Sequence, residues 1–568
     1  MFTFGTPSTN TAAYTSIIVG IDFGTTFSGV AWAYSKQPED IEIVTNWDCV
    51  DTQNSDKGKA PTRIAYEKAS ADTTMDNENM AEWFKLLLLE DGDMDEDTKS
   101  SAQIQRAKSL LCEAGKTPVE AVADYLRLLW QHAVLNIERN LGEATVDGLP
   151  FKIVCTVPAV WNNAAVGKMR KASKSAGLMA RRAAGTATLD FVSEPEAAAL
   201  ATFEDLKYRP NLQVGDIYVV CDAGGGTVDL ISYKGKQTRP LQLKECVEGS
   251  GQLCGAVFLD QDVEAMIAQR LGDTWDVSRS VKNEVMNSQR EHGIKRTFED
   301  QDRIWSINLP WPCVMRGAPP SINLERAHVK DLFENIVSKI RRLVDDQVAR
   351  VEARESKPPK VRIVLVGGFG SCRYIHKVLI LQSSGSKPWT AICRGAVLSA
   401  LQNSQLRLAV VRSRIVRCNY GVQFTTPFDP AVHEERDKYF NERYQKDYAD
   451  NQMSWYIKRG DNMSVTRPVR KKWFQSLSCD FPQLSFDFDS DIYACRAHEP
   501  PTRLDLTVTK SCILQSDSPV DISAIAMVKN QLGKSYKDLE YEIEMKVFVI
   551  IFNGREIGRS HLIPEFEV

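Results

Sequence analysis

An α/β architecture over residues 17 to 410, followed by a β-rich region over 412 to 568, is the fold class that the sequence predicts. Three observations predict it. Apolar runs short enough for buried strands alternate with longer segments of helical period through the first part of the chain. Two of those strand runs break at a glycine-rich turn that opens on an aspartate, "DFGTT" at 22–26 and "DAGGGT" at 222–227. Past residue 411 the pattern changes to period-two alternation, as in "RLDLTVT" and "YEIEMKVFVIIFNGREIGRSHLI".

In chain order, "MFTFGTPSTNTAAYTS" has neither the basic start nor the apolar stretch of a secretory signal, so residues 1–15 read as a disordered tail. "IIVGIDFGTTFSGVAWAY" is a strand, a turn and a strand. Residues 51–60 and 67–79 read as polar loops, and "EDGDMDEDTKSS" as a solvated acidic insertion. In "TPVEAVADYLRLLWQHAVLNIERNLG", Thr117 at the N-cap, Pro118 at the first helical position and Glu120 two residues on make a capping box, and Gly142 ends the helix. Val119, Val122, Leu126, Leu129, Val134, Ile137 and Leu141 give that helix one buried face. "FKIVCTVPAVW" is a buried strand, "NAAVGKMRKASKSAG" a helix ending at Gly177, and "LDFVSEPEAAALATF" a strand, a Glu-Pro turn and a helix. "VVCDAGGGTVDLISY" is the second hairpin. "LERAHVKDLFENIVSKIRRLVDDQVARVEARE" is a long amphipathic helix, broken by "KPP", and "KVRIVLVGGFGSCRYIHKVLI" is a strand, a glycine turn and a helix. In the β-rich region Asn553-Gly554 is a hairpin signal, while Pro500-Pro501 and the runs near 426–450 read as long loops.

Composition bounds the function. The 568 residues, at about 150 per domain, allow three or four domains. With 43% apolar and 25% charged residues and a net charge of −4, nothing electrostatic points to nucleic acid or an anionic membrane as the partner. The densest apolar cluster, "FKLLLLE", is far shorter than the roughly 20 residues of a membrane span. The 13 cysteines have no C-x-x-C pair and read as buried thiols of a reducing cytosol, and the seven histidines show no ligand spacing.

The two glycine turns carry the chemistry. Successive backbone N–H groups in a tight turn form an anion-binding concavity, and glycine lets the main chain approach closely. Both turns add threonine hydroxyls, and both begin with an aspartate at a strand end, 200 residues apart. Two carboxylates beside a polyphosphate repel it unless a divalent cation intervenes, so the pair implies Mg²⁺, an ion that holds carboxylates through its waters. Two look-alikes fail on spacing. "EAGKTP" has Leu110 where a phosphate-binding P-loop needs its first glycine, and "GSGQLCG" is one residue too long for a dinucleotide fingerprint.

In this order, "GIDFGTTFSGVAW", "VSEPEAAALA", "VVCDAGGGTVDLISY", "IKRTF" and "IVLVGGFG" closely resemble the nucleotide-binding motifs of the heat shock protein 70 family, in the actin-like ATPase superfamily. The resemblance runs over about residues 15 to 411. "WFKLLLL" and "VGGFG" look most like the divergent twelve-type branch of the family and its fungal relatives. It implies a two-lobed actin-like ATPase (ribonuclease H-like) domain over 16–411, with lobe I about 16–213, lobe II about 214–395 and a closing helix to 411. "WYIKRGDNMSVTRPVRK" is similar to the start of the family's β-sandwich substrate domain, so 412–568 is expected to be a β-sandwich-like interaction domain without a helical lid.

Carried over position by position, the resemblance implies ATP or ADP with Mg²⁺. Asp22 and Asp222 would hold the metal shell, with Asp229 in support. Asp222 would also orient or deprotonate the attacking water, with Glu194 close by. Gly24, Thr25 and Thr26, with Phe27 beside them, would grip the phosphates from one side. Gly224, Gly225, Gly226 and Thr227 would grip them from the other, Thr227 also positioning the water. Lys295 and Arg296 would flank the adenosine, and Gly367 and Gly368 would let base and ribose lie on bare backbone. Lys85 matches the family's catalytic lysine; a lysine stem lying along a helix surface is the alternative. The departures fall on the adenosine side, where His292, Glu299 and Phe369 stand in place of an acidic residue and two serines.

As functions, the resemblance implies a cytoplasmic ATP-hydrolysing chaperone or chaperone relative, a nuclear location also being open. Its partners would be unfolded or specific client polypeptides, co-chaperones and nucleotide-exchange factors. An ATP-binding interaction protein with little or no hydrolysis is the alternative. A small-molecule kinase on the same fold would need a further catalytic carboxylate, which is not identifiable, and there is no signature of filament contacts. At the junction "LAVVRSRIVRCNYGV", Arg412, Arg414 and Arg417 read as the solvent face of an alternating strand.

Overall fold

The computed structural model describes residues 15–47, 58–66, 80–206, 213–286, 293–379, 389–403 and 411–554, apart from 95, 160, 162, 239–240, 465–466, 468, 480–484, 487–488, 516–519, 524 and 546–549. All but Thr15 of the tail expected at 1–15, and most of the two polar loops, lie outside the described residues.

Lobe I is built on β1 (Ile17–Asp22), β2 (Phe27–Tyr34), β3 (Phe151–Val157) and β4 (Thr188–Ser193). β1 and β2 form an antiparallel hairpin that sets Asp22 opposite Gly29, β3 runs parallel to β1, and β4 parallel to β3. All six residues of β1 are buried, which is why the strand reads as a continuous apolar run. Against the sheet lie α1 (Pro118–Leu141), α2 (Asn163–Ser175) and α3 (Glu194–Leu206). α1 has the expected capping box: Thr117 Oγ1 accepts from the Glu120 N–H, and Glu120 accepts from the Thr117 N–H at 2.8 Å. α3 starts directly at Glu194, with no separate Glu-Pro turn, because proline is compatible with the first turn of a helix.

Lobe II repeats the plan. β5 (Ile217–Ala223) and β6 (Val228–Thr238) form the second hairpin, with Asp222 opposite Asp229. β7 (Leu241–Gln252) pairs with β6, and β8 (Val361–Val366) runs parallel to β5 as β3 does to β1. α4 (Ala256–Leu271) and α5 (Arg326–Arg354) cover this sheet. Next comes α6 (Ala391–Asn403), which packs on β1, β2, β3 and α3, so the chain has returned to lobe I by residue 391. Its close fit needs bare backbone: a Cβ on Gly395 would collide with the Ala197 carbonyl of α3, and one on Gly20 with the Cys393 carbonyl. α3 and α6 share one apolar cluster with Ile18 and Val154 of lobe I and with Tyr218, Val220 and Val364 of lobe II. The lobes are thus joined at their base by two crossing helices.

The first strand after the junction, β9 (Val411–Ile415), belongs to the lobe II sheet: it runs parallel to β7, and its other edge pairs with Asn462–Ser464. The β-rich region is therefore hydrogen-bonded into lobe II from its first residues. Arg414 and Arg417 are not a solvent face. Arg414 forks onto Glu196 of α3, with Nε 2.8 Å from Oε2, and Arg417 pairs with Glu245 of β7 at 2.5 Å. The strand adds to a covered sheet edge, so its polar side meets protein carboxylates instead of water.

Beyond β9 a five-stranded sheet and a four-stranded sheet share a small core that includes Val422, Tyr456, Ile492 and Ile543, with the Trp473 ring 6.0 Å from Tyr456. Three expectations change here. "RLDLTVT" is not one strand: it turns at Leu506–Thr507, where Asp505 accepts from the N–H and the hydroxyl of Thr507, and the strand starts at Val508. In the stretch 426–450, residues 428–437 carry no strand, as expected of a long loop, but Lys438–Asn441 and Lys446–Ile457 pair as a hairpin. Asn553 and Gly554 pair with Glu542 and Tyr541 inside a strand, so they are not the turn of a hairpin. No helix among the described residues is long and apolar enough to cross a membrane.

Candidate functional site

The two glycine turns meet. A Cβ on Gly226 would lie 2.6 Å from Thr25 Oγ1, and one on Gly225 would collide with Thr26. The reason for three glycines lies on their other side. The carbonyls of Gly224, Gly225 and Gly226 accept from the N–H groups of Ala256, Val257 and Gly255, the otherwise unpaired donors at the start of α4. A trans peptide sets its C=O and the next N–H in opposite directions. With three carbonyls turned toward α4, the N–H groups of Gly225, Gly226 and Thr227 therefore point away from it. The turn is an anion-binding arrangement whose orientation is fixed by the helix behind it.

Behind the turns sit four buried carboxylates, Asp22, Glu194, Asp222 and Asp229, together with two buried ammonium groups. Lys85 Nζ is 2.6 Å from Glu194 Oε1 and lies over the rings of Phe23 and Trp161. Its residue is 2% exposed, so it is an interior lysine and not one laid along a helix surface. Lys59 Nζ is 2.5 Å from Asp22 Oδ2. Asp229 Oδ1 accepts the Ala159 N–H of lobe I at 3.1 Å, so a lobe II carboxylate reaches across the crevice.

These groups set each other's protonation. Burial holds the Asp222 carboxyl well above the usual carboxylate range, and Glu194, Asp229 and Asp22 push it the same way against Lys59. Burial and then Glu194 raise Asp229 to about 7, with Thr227 and Lys85 opposing. Glu194 is raised by burial, pulled down by Lys85 and pushed up by Asp22. Burial alone would lower Lys59, but Asp22, together with Cys393 and Asp222, offsets it and leaves the ammonium above its ordinary 10.5.

The residues named for the adenosine end lie on a path from this cluster. Gly367 has φ 84°, and a Cβ there would collide with the Ala223 carbonyl and Asp222 Oδ1. Gly368 packs on Trp389, whose ring is 5.3 Å from that of Phe27. Lys295 Nζ is 3.4 Å from Asp260 and 5.7 Å from the ring of buried Phe369, and Arg296 follows it in the same short helix. Glu299 instead faces outward, paired with Arg373 at 3.0 Å, and His292 lies outside the described residues. Lys59 and Trp389 were not found from sequence. Lys59 stands in a stretch that reads as a polar loop, and only its strand pairing brings it inside.

The donor set fits a polyphosphate with Mg²⁺. Asp222 Oδ1 and Asp229 Oδ2 are buried without a hydrogen-bond partner, and the glycine turns leave bare backbone beside them. Among the described residues no three His, Cys, Asp or Glu side chains close up as a metal cage.

Two like lobes, each with a strand–turn–strand hairpin facing a common acidic crevice and hinged on two crossing helices, define an actin-like ATPase domain, here followed by a β-rich region. The chain belongs to the heat shock protein 70 family: the model described as "Hsp70 protein" matches residues 18–380, and a second, described as a domain of unknown function, matches 414–552. It is 25% identical to human heat shock 70 kDa protein 12B, over 74% of this chain and 72% of that protein. Identity to mouse heat shock 70 kDa protein 12A is 27%, over 45% of this chain and 46% of that protein. The mitochondrial-type heat shock protein 70 of Encephalitozoon hellem is 25% identical over 75% and 72%. At these identities the chain is a divergent member of a family of ATP-binding, chaperone-like proteins.

Proposed function

We propose that this chain binds ATP with Mg²⁺ in the crevice, hydrolyses it, and passes the nucleotide state to its β-rich region. The observation that carries the reading is the meeting of two glycine turns beside the buried, unpartnered carboxylate oxygens of Asp222 and Asp229. The N–H groups of Gly225 to Thr227, with Thr25, Thr26 and the Gly24 backbone opposite, would bind the phosphates. Asp222 and Asp229, with Asp22, would hold Mg²⁺ through its waters, and the ion would neutralise charge on the phosphoryl group. Asp222 would orient and deprotonate the attacking water, a task for which a raised carboxylate pKa is the better match near neutral pH. Lys85, held by Glu194, would offset charge on the γ-phosphate. Lys295 and Phe369 would bound the adenosine.

Coupling to the β-rich region is supported by α3, whose first residue, Glu194, holds Lys85 and whose third, Glu196, holds Arg414. Exposed Phe474 and Val528, which the strand register sets on one face of the four-stranded sheet, offer apolar surface to a client polypeptide. Co-chaperones, exchange factors and a cytoplasmic location follow the same family reading.

Purified protein with Mg²⁺ should release phosphate from ATP, and Asp222→Asn should abolish release while leaving binding largely intact. Equal rates in the two proteins would remove the proposed role. The ion pair on Asp22 favours a second reading, an ATP-binding interaction protein with little hydrolysis. Tight binding in calorimetry beside undetectable phosphate release would select it.

A further inference from the structure

The two lobes use their matching hairpins differently. In lobe II the residue opposite Asp222 is Asp229, whereas in lobe I the residue opposite Asp22 is Gly29. Gly29 is where Lys59 crosses. A Cβ on Gly29 would lie 2.9 Å from Lys59 Cγ and 3.4 Å from its Cε, so the lysine stem lies along bare backbone. The register places it there: Ala60 and Pro61 pair with Ser28 and Phe27, which sets Lys59 beside Gly29. The ammonium ends 2.5 Å from Asp22 and 5.0 Å above the Trp389 ring, itself packed on Phe27 and Gly368. The lysine is 5% exposed, so its charge is shielded little by solvent.

We propose that Lys59 is a resident cation of the polyphosphate site, a binding residue that shares with a dissociable ion the task of balancing Asp22 and the phosphates next to it. This rests on the reading of the crevice as a nucleotide site. The cluster sets four carboxylates against two ammonium groups, and an incoming polyphosphate adds further negative charge. An ammonium has three N–H donors, and Asp22 takes one. A charge fixed by the chain is there at any metal concentration, so nucleotide affinity should fall less when Mg²⁺ is withdrawn than it would without Lys59. The lobe I hairpin then has a glycine opposite its aspartate because a side chain there would block the lysine.

The test is ADP affinity measured by calorimetry on the full chain, with saturating Mg²⁺ and again with EDTA. Wild type should bind in both, with a loss on the order of tenfold in EDTA, and Lys59→Met should lose on the order of a hundredfold or more there, the scale expected for removing one close, poorly screened charge. Saturating Mg²⁺ should recover most of that deficit. Gly29→Ala, which keeps the lysine but blocks its path, should reproduce the pattern, and unchanged circular dichroism would show that both variants fold. If Lys59→Met and wild type lose the same factor on Mg²⁺ removal, Lys59 is only a structural partner of Asp22 and the proposal is overturned. If wild type binds no ADP even with Mg²⁺, the nucleotide reading fails, and this proposal with it.

Discussion

Asp229→Asn should make the ligand-free protein more stable, and only above acidic pH. Burial and Glu194 lift the Asp229 carboxyl from its ordinary 3.8 to about 7. The native state then holds a proton that the unfolded chain has released across the window from about pH 4 to pH 7, so stability falls as pH rises through that window and the full cost stands above it. At about 1.36 kcal/mol per pH unit, the ionised carboxylate costs about 4 kcal/mol at pH 8 and between about 1 and 2 kcal/mol at pH 5. Asparagine removes the charge and keeps a carbonyl oxygen for the Ala159 N–H. With about 2.1 cal/mol/K of unfolding entropy per residue over a unit of roughly 400 residues, the melting point should rise by about 5 °C at pH 8 and about 2 °C at pH 5. Differential scanning calorimetry in EDTA reads both values. Equal gains at the two pH values, or a loss at pH 8, would refute the account of Asp229 as a carboxylate held under electrostatic strain.

Gly367→Ala combines a positive φ with a collision against the Ala223 carbonyl and Asp222 Oδ1, whereas Gly177→Ala has a similar φ of 87° and open space around it. The second should cost about 1–2 kcal/mol by conformation alone; the first should cost clearly more and also weaken ADP binding, and equal melting points for the two would count against the contact. Arg414→Ala strands buried Glu196 and should cost about 3–5 kcal/mol, while Arg414→Met with Glu196→Met should recover most of it. In Arg414→Ala, hydrogen exchange at Asn462–Ser464 should stop responding to nucleotide; an unaltered response would separate that ion pair from the coupling.

The parts of this fold that sequence makes legible are those in which local chemistry and tertiary role agree. The Thr117–Glu120 box, the two Asp-x-Gly hairpins and the buried run of β1 each carry their own signal. What stays hidden depends on which distant strand a segment joins. Lys59 looks like loop until Ala60 and Pro61 pair with β2, and Arg414 looks solvent-facing until β9 adds to the edge of β7. In the β-rich region the Asn553-Gly554 signal yields to a strand pairing of five residue pairs, and Asp505 turns an alternating run into a bend. Lys85 shows the same limit from the other side. Its motif is local, but its burial comes from Phe23, Trp161 and Glu194, each on a different stretch of chain.

The threonines of one hairpin rest directly on the glycines of the other. On the proposed reading, a triphosphate would not slip between surfaces already in contact, and would enter and leave only with the halves parted at the α3–α6 packing. Residence time would then depend on how often that joint opens, a motion of the microsecond-to-millisecond class, as much as on the strength of the grip. Any factor that wedges the joint would speed exchange without touching a single phosphate contact.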